Sequence, residues 1–229
     1  MKLSRKLEKL TSGEAWNSGL DRYYRWRHPL TVDLLLKNVD QARLAQICHK
    51  YHVPGEIKAW PKYTDYHHWI GRAIDHVREL HLDRDKKLHI LDIGSAAGYF
   101  LLALRHLRHK VFGLDLAEPP FYGEMFDLFG LERVIWRIEA FEPLPEIGRR
   151  FDLVTAFAVC FNGHGSKQIW GQKEWAFFLQ DMRARYLNPG ARMFLALNPE
   201  PYGHYTPELR EFFLEQGAQI DRHRIWLRS

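Results

Sequence analysis

The chain has 229 residues, of which 46% are hydrophobic and 27% are charged. This length and composition are typical of a globular protein with one sizeable core and an accessory segment. No apolar run approaches the roughly 20 residues of a membrane-spanning helix, and the first residues lack the apolar stretch of a secretion signal. Two cysteines, Cys48 and Cys160, are too few for a disulfide framework or a zinc site. We therefore expect a cytoplasmic protein that holds no metal.

The formal net charge of +5 raises the question of nucleic-acid binding. The basic residues are scattered along the chain, which favours a solvated surface over a phosphate-binding track. The segment 22–28 interleaves arginines with aromatic residues, and it suits either contact with a nucleotide or a helix that packs its rings on the core. We favour the helix, so nucleic acid is not the expected partner.

The spacing of apolar residues in the first third of the chain predicts three helices. They cover residues 31–37, 40–52 and 66–82. A loop with Pro and Gly at 53–65 separates the second helix from the third, and a polar connector follows at 83–87. We therefore divide the chain into an N-terminal helical segment, 1–85, and an α/β domain, 86–229.

The run 88–100 predicts a short apolar strand, an acidic residue, a turn of small residues and the start of a helix. The run 111–115 then predicts a second strand that ends in Asp115, 21 residues after Gly94. This order and spacing are typical of half a nucleotide-binding α/β unit, in which the second acid binds ribose hydroxyls. The expected ligand is therefore a nucleoside-like cofactor.

The glycine turn does not match a dinucleotide fingerprint, because only Gly94 and Gly98 of its expected glycines are present. Asp92 would also repel a diphosphate, whereas a carboxylate there suits an ammonium or sulfonium centre. At this motif the chain resembles the class I S-adenosylmethionine-dependent methyltransferases, whose first motif runs acid-x-Gly-x-Gly-x-Gly. Ala96 replaces the middle glycine, and we expect a negative φ there that accommodates its methyl group.

Later segments resemble the same family in the same order. Predicted elements follow as a helix at 123–131, strands at 134–138 and 151–159, a helix at 175–186, a turn at 187–190 and a strand at 191–197. Glu139 and Ala140 open a segment similar to the family's acid-Ala-x-x-Leu-Pro run beside the adenine. The resemblance implies a Rossmann-like, doubly wound, mostly parallel sheet with helices on both faces. It also makes 1–85 a lid and acceptor-pocket segment and 86–229 the cofactor-binding domain.

The end of the chain predicts a capped helix over 206–217 and one strand over 218–227. The resembled fold usually closes with an antiparallel pair of strands. The sequence therefore leaves three interpretations, in which the last strand is absent, another segment or chain supplies it, or the chain is cut. An exposed sheet edge would favour a homodimer or a covering partner.

The resemblance implies S-adenosyl-L-methionine as the cofactor and assigns roles along the motifs. Asp92 lies near the methionine ammonium, Asp115 takes the ribose hydroxyls, Glu139 lies near the adenine amine, and Phe157 or Ala158 borders the methionine part. The full predicted cofactor set is Asp92, Gly94, Ser95, Ala96, Gly98, Asp115, Leu116, Glu139, Ala140 and Phe157.

Candidate residues for the acceptor come from two places. The segment 160–165 follows the fourth strand, at the sheet edge where ligands bind. There Asn162 would orient the acceptor and His164 would take a proton, although His164 also suits a turn residue bonded to the backbone. The predicted substrate contacts are Tyr63, Tyr66, Trp69 and Trp170. The aromatic cluster at 60–69 equally suits core packing of a helix that begins at Thr64 or Asp65.

The resemblance implies methyl transfer by direct displacement to an oxygen or nitrogen atom of a small molecule. Two alternatives remain: an RNA or protein methyltransferase, and a catalytically silent binding module with the same fold. The run 198–202 is similar to the Asn-Pro-Pro-Tyr motif of nucleic-acid amino methyltransferases, but it follows the fifth strand instead of the fourth and Glu200 interrupts it. That position argues against amino methylation of a base and leaves Tyr202 and His204 as weak acceptor-site candidates.

Overall fold

The computed structural model describes residues 23–159, 161, 169–201 and 203–229. The chain divides into two compact units, Met1–Lys37 and Asn38–Ser229. The described part of the first unit has a helical turn at 23–27 and the short helix α1, Val32–Leu36, capped by Thr31. Tyr23 and Trp26 are exposed, so the expectation that this segment packs these rings on a core is wrong.

The second unit is built on one seven-stranded sheet in the order β3-β2-β1-β4-β5-β7-β6. The strands are β1 His89–Ile93, β2 Lys110–Asp115, β3 Arg133–Ile135, β4 Phe151–Phe157, β5 Leu187–Ala196, β6 Gln219–Asp221 and β7 Arg224–Arg228. β1 to β5 pair in parallel, and β7 lies antiparallel between β5 and β6. The mostly parallel, Rossmann-like sheet predicted from the sequence is confirmed.

Helices pack in pairs beside this sheet. They are α2 Gln41–Tyr51, α3 Tyr66–Glu79, α4 Tyr99–His106, α5 Pro120–Phe129, α6 Gln172–Asp181 and α7 Pro207–Glu215, with a 3-10 turn at Trp60–Thr64 and a π turn at Met182–Tyr186. α2 packs against α5, α3 against α4, and α6 against α7. Among the described residues, no helix has both the length and the apolar character that crossing a bilayer requires.

Aromatic side chains fill the core between α6, α7 and the sheet. Trp175 is fully buried, and its ring centroid lies 5.1 Å from that of Phe161 and 5.1 Å from that of Phe213. Trp170 contacts the same group, 5.5 Å from Trp175. Large aromatic rings bury much apolar area for few rotatable bonds. This packing therefore fixes the chain on both sides of the segment 162–168, which lies outside the described residues.

Several helix starts follow the predicted capping chemistry. The Asp65 side chain accepts a hydrogen bond from His68 N at 3.2 Å, so Asp65 is the N-cap of α3. Thr64 instead bonds the Pro61 carbonyl within the preceding 3-10 turn. Thr206 caps α7 through Leu209 N at 3.3 Å, as expected. Proline follows at the first helical position, where no N–H is needed.

Three helix and strand boundaries in the structure differ from those predicted from the sequence. α5 begins at Pro120, not at 123, because proline fits the first turn of a helix. β3 ends at Ile135, three residues before the predicted end. The residues predicted as a turn, 187–190, are included in β5, with Gly190 at φ +75° beside a register shift against β4.

The end of the chain forms two strands, so the single strand predicted over 218–227 is wrong. β6 and β7 are joined by Arg222 and His223, with Arg222 in the left-handed region at φ 52°. A two-residue connection lets both strands fit into ten residues. The fold therefore closes with its own antiparallel pair and needs no strand from another chain.

A glycine at the start of α4 gives a test of how tightly the first βα turn is packed. Gly98 has φ +76°, and an added Cβ would lie 2.9 Å from Leu131 Cδ1 and 3.0 Å from Phe126 Cε2. We expect Gly98→Ala to lower the free energy of unfolding by about 2–5 kcal/mol, the sum of left-handed strain and overpacking. Chemical denaturation measures the change.

Gly148→Ala is the matched control, because Gly148 also has positive φ, +69°, but an added Cβ meets no described atom within 4 Å. Gly148→Ala should lower the free energy of unfolding only by the strain of the left-handed backbone, about 1–2 kcal/mol. Equal losses in the two variants would mean that the turn at Gly98 has room for a methyl group.

Candidate functional site

Two adjoining cavities open at the carboxyl ends of β1, β2 and β4. The first has a volume of about 460 Å³ and the second about 490 Å³. Both are lined by Tyr63, Gly94, Ala96, Phe157 and Ala158. The edge beyond the carboxyl ends of parallel strands is where α/β sheets bind ligands. The bend after β1, residues 94–98, therefore lies between the two cavities, which together form one candidate site.

Gly94 sets the shape of this bend. Its φ is +72°, and an added Cβ would lie 2.6 Å from Val159 Cγ2, a distance that real Cβ atoms do not reach. Its backbone N–H donates to the Leu114 carbonyl at 2.8 Å, which ties the bend to β2. Residue 94 must therefore be glycine for both conformational and steric reasons.

Ala96 corrects one expectation from the sequence, because its φ is positive, at 48°. A non-glycine residue in this region costs about 1–2 kcal/mol. Its backbone N–H donates to Asp115 Oδ2 at 2.6 Å. Hydrogen bonds to a carboxylate contribute roughly 1.5–3 kcal/mol, so this bond is large enough to offset the backbone strain.

Asp115 ends β2 and lines the first cavity. Its second oxygen, Oδ1, accepts from Leu116 N at 2.7 Å. Burial raises the pKa of this carboxyl, and the two backbone donors, with Arg133 nearby, oppose that rise. Each carboxylate oxygen accepts more than one hydrogen bond, so Asp115 retains acceptor capacity for hydroxyl groups in the cavity.

Asp92 lies on the neighbouring strand and lines the second cavity. It is buried, and its Oδ1 accepts from Thr155 Oγ1 at 2.6 Å across the β1–β4 pair. Burial raises the pKa of Asp92 to about 7, while the bond from Thr155 lowers it. A buried carboxylate of this kind is stabilised by any cation that enters the cavity.

The first cavity combines apolar walls with acidic groups at its rim. Leu114, Leu116 and Ile138 line it, and Glu139 lies at its exposed edge. Trp136 also lines it, and its indole N–H is buried without a hydrogen-bond partner among the described residues. A flat heterocycle with an exocyclic amine and ribose hydroxyls fits this set of groups.

The second cavity has aromatic walls and basic side chains. Trp69, Phe100 and Phe157 line it, as do Lys62 and Arg72. Three histidines also line it, namely His76, His204 and His223. Among the described residues, no group of three or more His, Cys, Asp or Glu side chains could hold a metal ion.

The predicted site residues fall into three groups in the structure. Those that line one or both cavities are Tyr63, Trp69, Asp92, Gly94, Ser95, Ala96, Asp115, Leu116, Glu139, Phe157 and Trp170. Tyr66, Gly98 and Ala140 line neither cavity. Gly98 is the buried N-cap of α4, and the Tyr66 ring contacts the His67 ring in a tilted arrangement, with centroids 4.5 Å apart. Asn162, His164 and Tyr202 lie outside the described residues.

The sequence did not single out Trp136, Arg72, His76 or His223 as site residues. A signal for two of them was present, because Trp69, Arg72 and His76 are spaced three and four residues apart on one helix. Such spacing places side chains on one helical face. The spacing shows that these residues share one face of the helix, but it does not show what that face contacts. Only the packing of the helix in the structure places this face at the cavity, so the pattern alone did not identify the site.

Comparisons with known proteins find the fold among solved structures. No protein-family model matches the chain, and no curated protein matches its sequence. The magnesium protoporphyrin IX methyltransferase ChlM from Synechocystis PCC 6803, with bound SAM, is 16% identical, and the match covers 80% of this chain and 88% of that chain with a TM-score of 0.50. The chain has a class I methyltransferase fold.

Two other solved structures align at lower TM-scores. CalS10, an amino pentose methyltransferase from Micromonospora echinaspora, is 24% identical over 58% of this chain and 52% of its own, with a TM-score of 0.43. The 1,6-didemethyltoxoflavin-N1-methyltransferase from Burkholderia thailandensis is 15% identical over 78% and 93%, with a TM-score of 0.45. The matched region thus spans little more than half the length of CalS10.

The raised pKa of Asp92 predicts a pH-dependent stability in this methyltransferase fold. A carboxyl with a pKa near 3.8 when unfolded and about 7 when folded stabilises the protein fully at low pH. That contribution is lost as the pH rises through about 7. Asp92→Asn removes the titration, so we expect the variant to gain stability over the unchanged protein as the pH rises from 5 to 8.

Thermal unfolding of both proteins without ligand, at steps across this range, measures the difference. Asp127→Asn, an exposed carboxylate changed in the same way on α5, is the control for the loss of one charge. A stability difference that does not change with pH would show that Asp92 is ionised throughout.

Proposed function

We propose that the chain is a methyltransferase that uses S-adenosyl-L-methionine and transfers the methyl group to an oxygen or nitrogen atom of a small molecule. The observation that carries the proposal is the pair of carboxylates, Asp92 and Asp115, on either side of the Gly94 bend. Each faces a different cavity. This arrangement suits a ligand with a diol at one end and a cationic amino acid at the other.

The residues present fit that cofactor in two parts. In the first cavity Asp115 accepts from the ribose hydroxyls, while Leu116 and Trp136 border the adenine and Glu139 accepts from its amine. Trp136 provides an aromatic ring beside the adenine, which favours contact with a flat heterocycle. In the second cavity Asp92 faces the methionine ammonium, since an ammonium favours the ionised form of a buried carboxyl.

The cofactor supplies an activated methyl group on a sulfonium centre. Because that centre is already reactive, the protein has to align the acceptor and exclude water. We assign the covering role to α3, which contributes Trp69 and His76 to the second cavity. Tyr63 lines both cavities and suits the position of a wall beside the sulfonium, which aromatic faces attract.

A small-molecule acceptor is favoured over RNA or protein by the second cavity. Its volume of about 490 Å³ is within the range of sites that take a drug-sized ligand. Its walls are aromatic and not a continuous basic stripe. Incubation with a methyl-labelled cofactor and either cell metabolites or total RNA tests this choice; label in the RNA fraction alone would contradict it.

A cytoplasmic location remains part of the proposal. Burial raises the pKa of the Cys48 thiol to about 11, so it is protonated and unreactive at neutral pH. The proposed location rests on the cysteine count of the sequence, which is too low for a disulfide framework.

The cofactor assignment predicts a loss of affinity in Asp115→Asn. We expect the variant to bind S-adenosylhomocysteine roughly 10- to 100-fold more weakly, because charge-assisted hydrogen bonds to the ribose are lost. Isothermal titration calorimetry gives the affinities, and Asp127→Asn is the control. No binding by the unchanged protein would leave a catalytically silent fold, and equal binding by Asp115→Asn would contradict the ribose assignment.

A further inference from the structure

A titratable pair that cofactor binding does not use lies at the wall of the second cavity, where His76 is a lining residue. His76 and Glu79 lie one turn apart on α3, with His76 Nδ1 3.6 Å from Glu79 Oε2. Arg224 of β7 pairs with the other carboxylate oxygen, its Nε 2.8 Å from Glu79 Oε1. The carboxylate is thus held between a strand and a helix, with one oxygen toward the imidazole.

The His76 ring has a fixed orientation at the cavity wall. It stacks on Phe157 with centroids 4.1 Å apart and an interplanar angle of 29°. Nδ1 is shielded from solvent on the side of Glu79. Because Nδ1 is buried, Nε2 is the ring nitrogen that remains for contact with a molecule in the second cavity.

The surroundings of His76 affect its pKa in two opposite ways. The net effect lowers the pKa and favours the neutral ring, while nearby carboxylates stabilise the protonated form. Burial and Arg72 lower its pKa, whereas Glu79 and Asp75 on the same helix raise it. His204 and His223 line the cavity from other elements, and Asp92 lies at its floor. A neutral imidazole whose conjugate acid has a carboxylate neighbour is the usual form of a general base.

We propose that His76 is the catalytic base and that the acceptor is a hydroxyl group on a flat aromatic ring. The inference rests on the methyltransferase function proposed above. Trp69, Phe100 and Phe157 provide flat apolar walls for a ring beside Nε2. A neutral amine needs no base before it attacks, and an aliphatic alcohol is too weak an acid for imidazole, whereas the acidity of a phenol is closer to that of imidazolium.

The step balances within the site. The acceptor oxygen forms the new bond to the methyl carbon, and its proton passes to His76 Nε2. The pair of electrons of the broken carbon–sulfur bond stays on sulfur, which leaves as a neutral thioether. Glu79 is a positioning residue in this step, because its charge stabilises the imidazolium and its location orients Nδ1.

Two variants and one control test the assignment. His76→Asn removes the base, Glu79→Gln keeps the size of the side chain and removes its charge, and His67→Asn makes the same change at an exposed position of α3 that lines neither cavity. Calorimetry with S-adenosylhomocysteine tests cofactor binding separately. All three variants should retain this binding; its absence from the unchanged protein would overturn the methyltransferase function itself.

The second measurement is independent of activity. Nuclear magnetic resonance of the S-adenosylhomocysteine complex gives the titration midpoint of the His76 ring. Because Glu79 raises the pKa of His76, Glu79→Gln should move this midpoint to lower pH, and His67→Asn should leave it in place. An unchanged midpoint in Glu79→Gln would overturn the role of the pair.

The third measurement follows transfer of a labelled methyl group to a panel of phenols, aliphatic alcohols and aromatic amines. We expect phenols to be methylated and His76→Asn to lower kcat/KM for them by about 10²–10⁴. The acid limb of the pH profile should move to lower pH in Glu79→Gln and stay unchanged in His67→Asn. Transfer to amines or alcohols but not phenols, or full activity in His76→Asn, would overturn the proposal.

Discussion

The candidate site depends on the contact between the Asp115 carboxylate and the backbone N–H of Ala96. Three residues of the bend, Gly94, Ala96 and Gly98, have positive φ, and only Ala96 has a side chain to make that conformation costly. The carboxylate of the next strand compensates at 2.6 Å. One side chain therefore holds the bend in shape and also faces the first cavity. The same carboxylate that stabilises the bend is also the proposed acceptor for the ribose hydroxyls.

The two acidic residues differ in burial although both strands lie inside the sheet, since β1 has β2 and β4 as neighbours and β2 has β1 and β3. Asp92 precedes the last residue of β1 and is buried, whereas Asp115 is the last residue of β2 and remains half-buried. Thr155, directly opposite Asp92 in β4, supplies the hydrogen bond that a buried carboxyl requires. Burial depth thus separates two chemically identical groups into one with a pKa near neutrality and one that is a structural acceptor.

Side chains of α3 line the second cavity, where we propose that the acceptor binds. α3 packs against α4, the helix that the bend begins, and this contact places Trp69 and His76 over the carboxyl ends of the strands. Arg224 of β7 forms an ion pair with Glu79 of α3. Residues from α3 and from β7 thereby meet at one wall, although about 150 positions separate them in the chain.

The sequence by itself determined the parallel core of the fold, because alternating and continuous apolar runs, small-residue turns and the Gly94 to Asp115 spacing are local signals with direct structural meaning. Tertiary structure alone decided the sign of φ at Ala96, since the compensating bond comes from another strand. It also decided the closing pair β6 and β7, whose three and five residues are too short for a periodic pattern and gain stability only beside β5. Tertiary structure also decided that His76 lines the second cavity. The sequence gives the face of the helix on which His76 lies, but the contacts of that face depend on what the helix packs against.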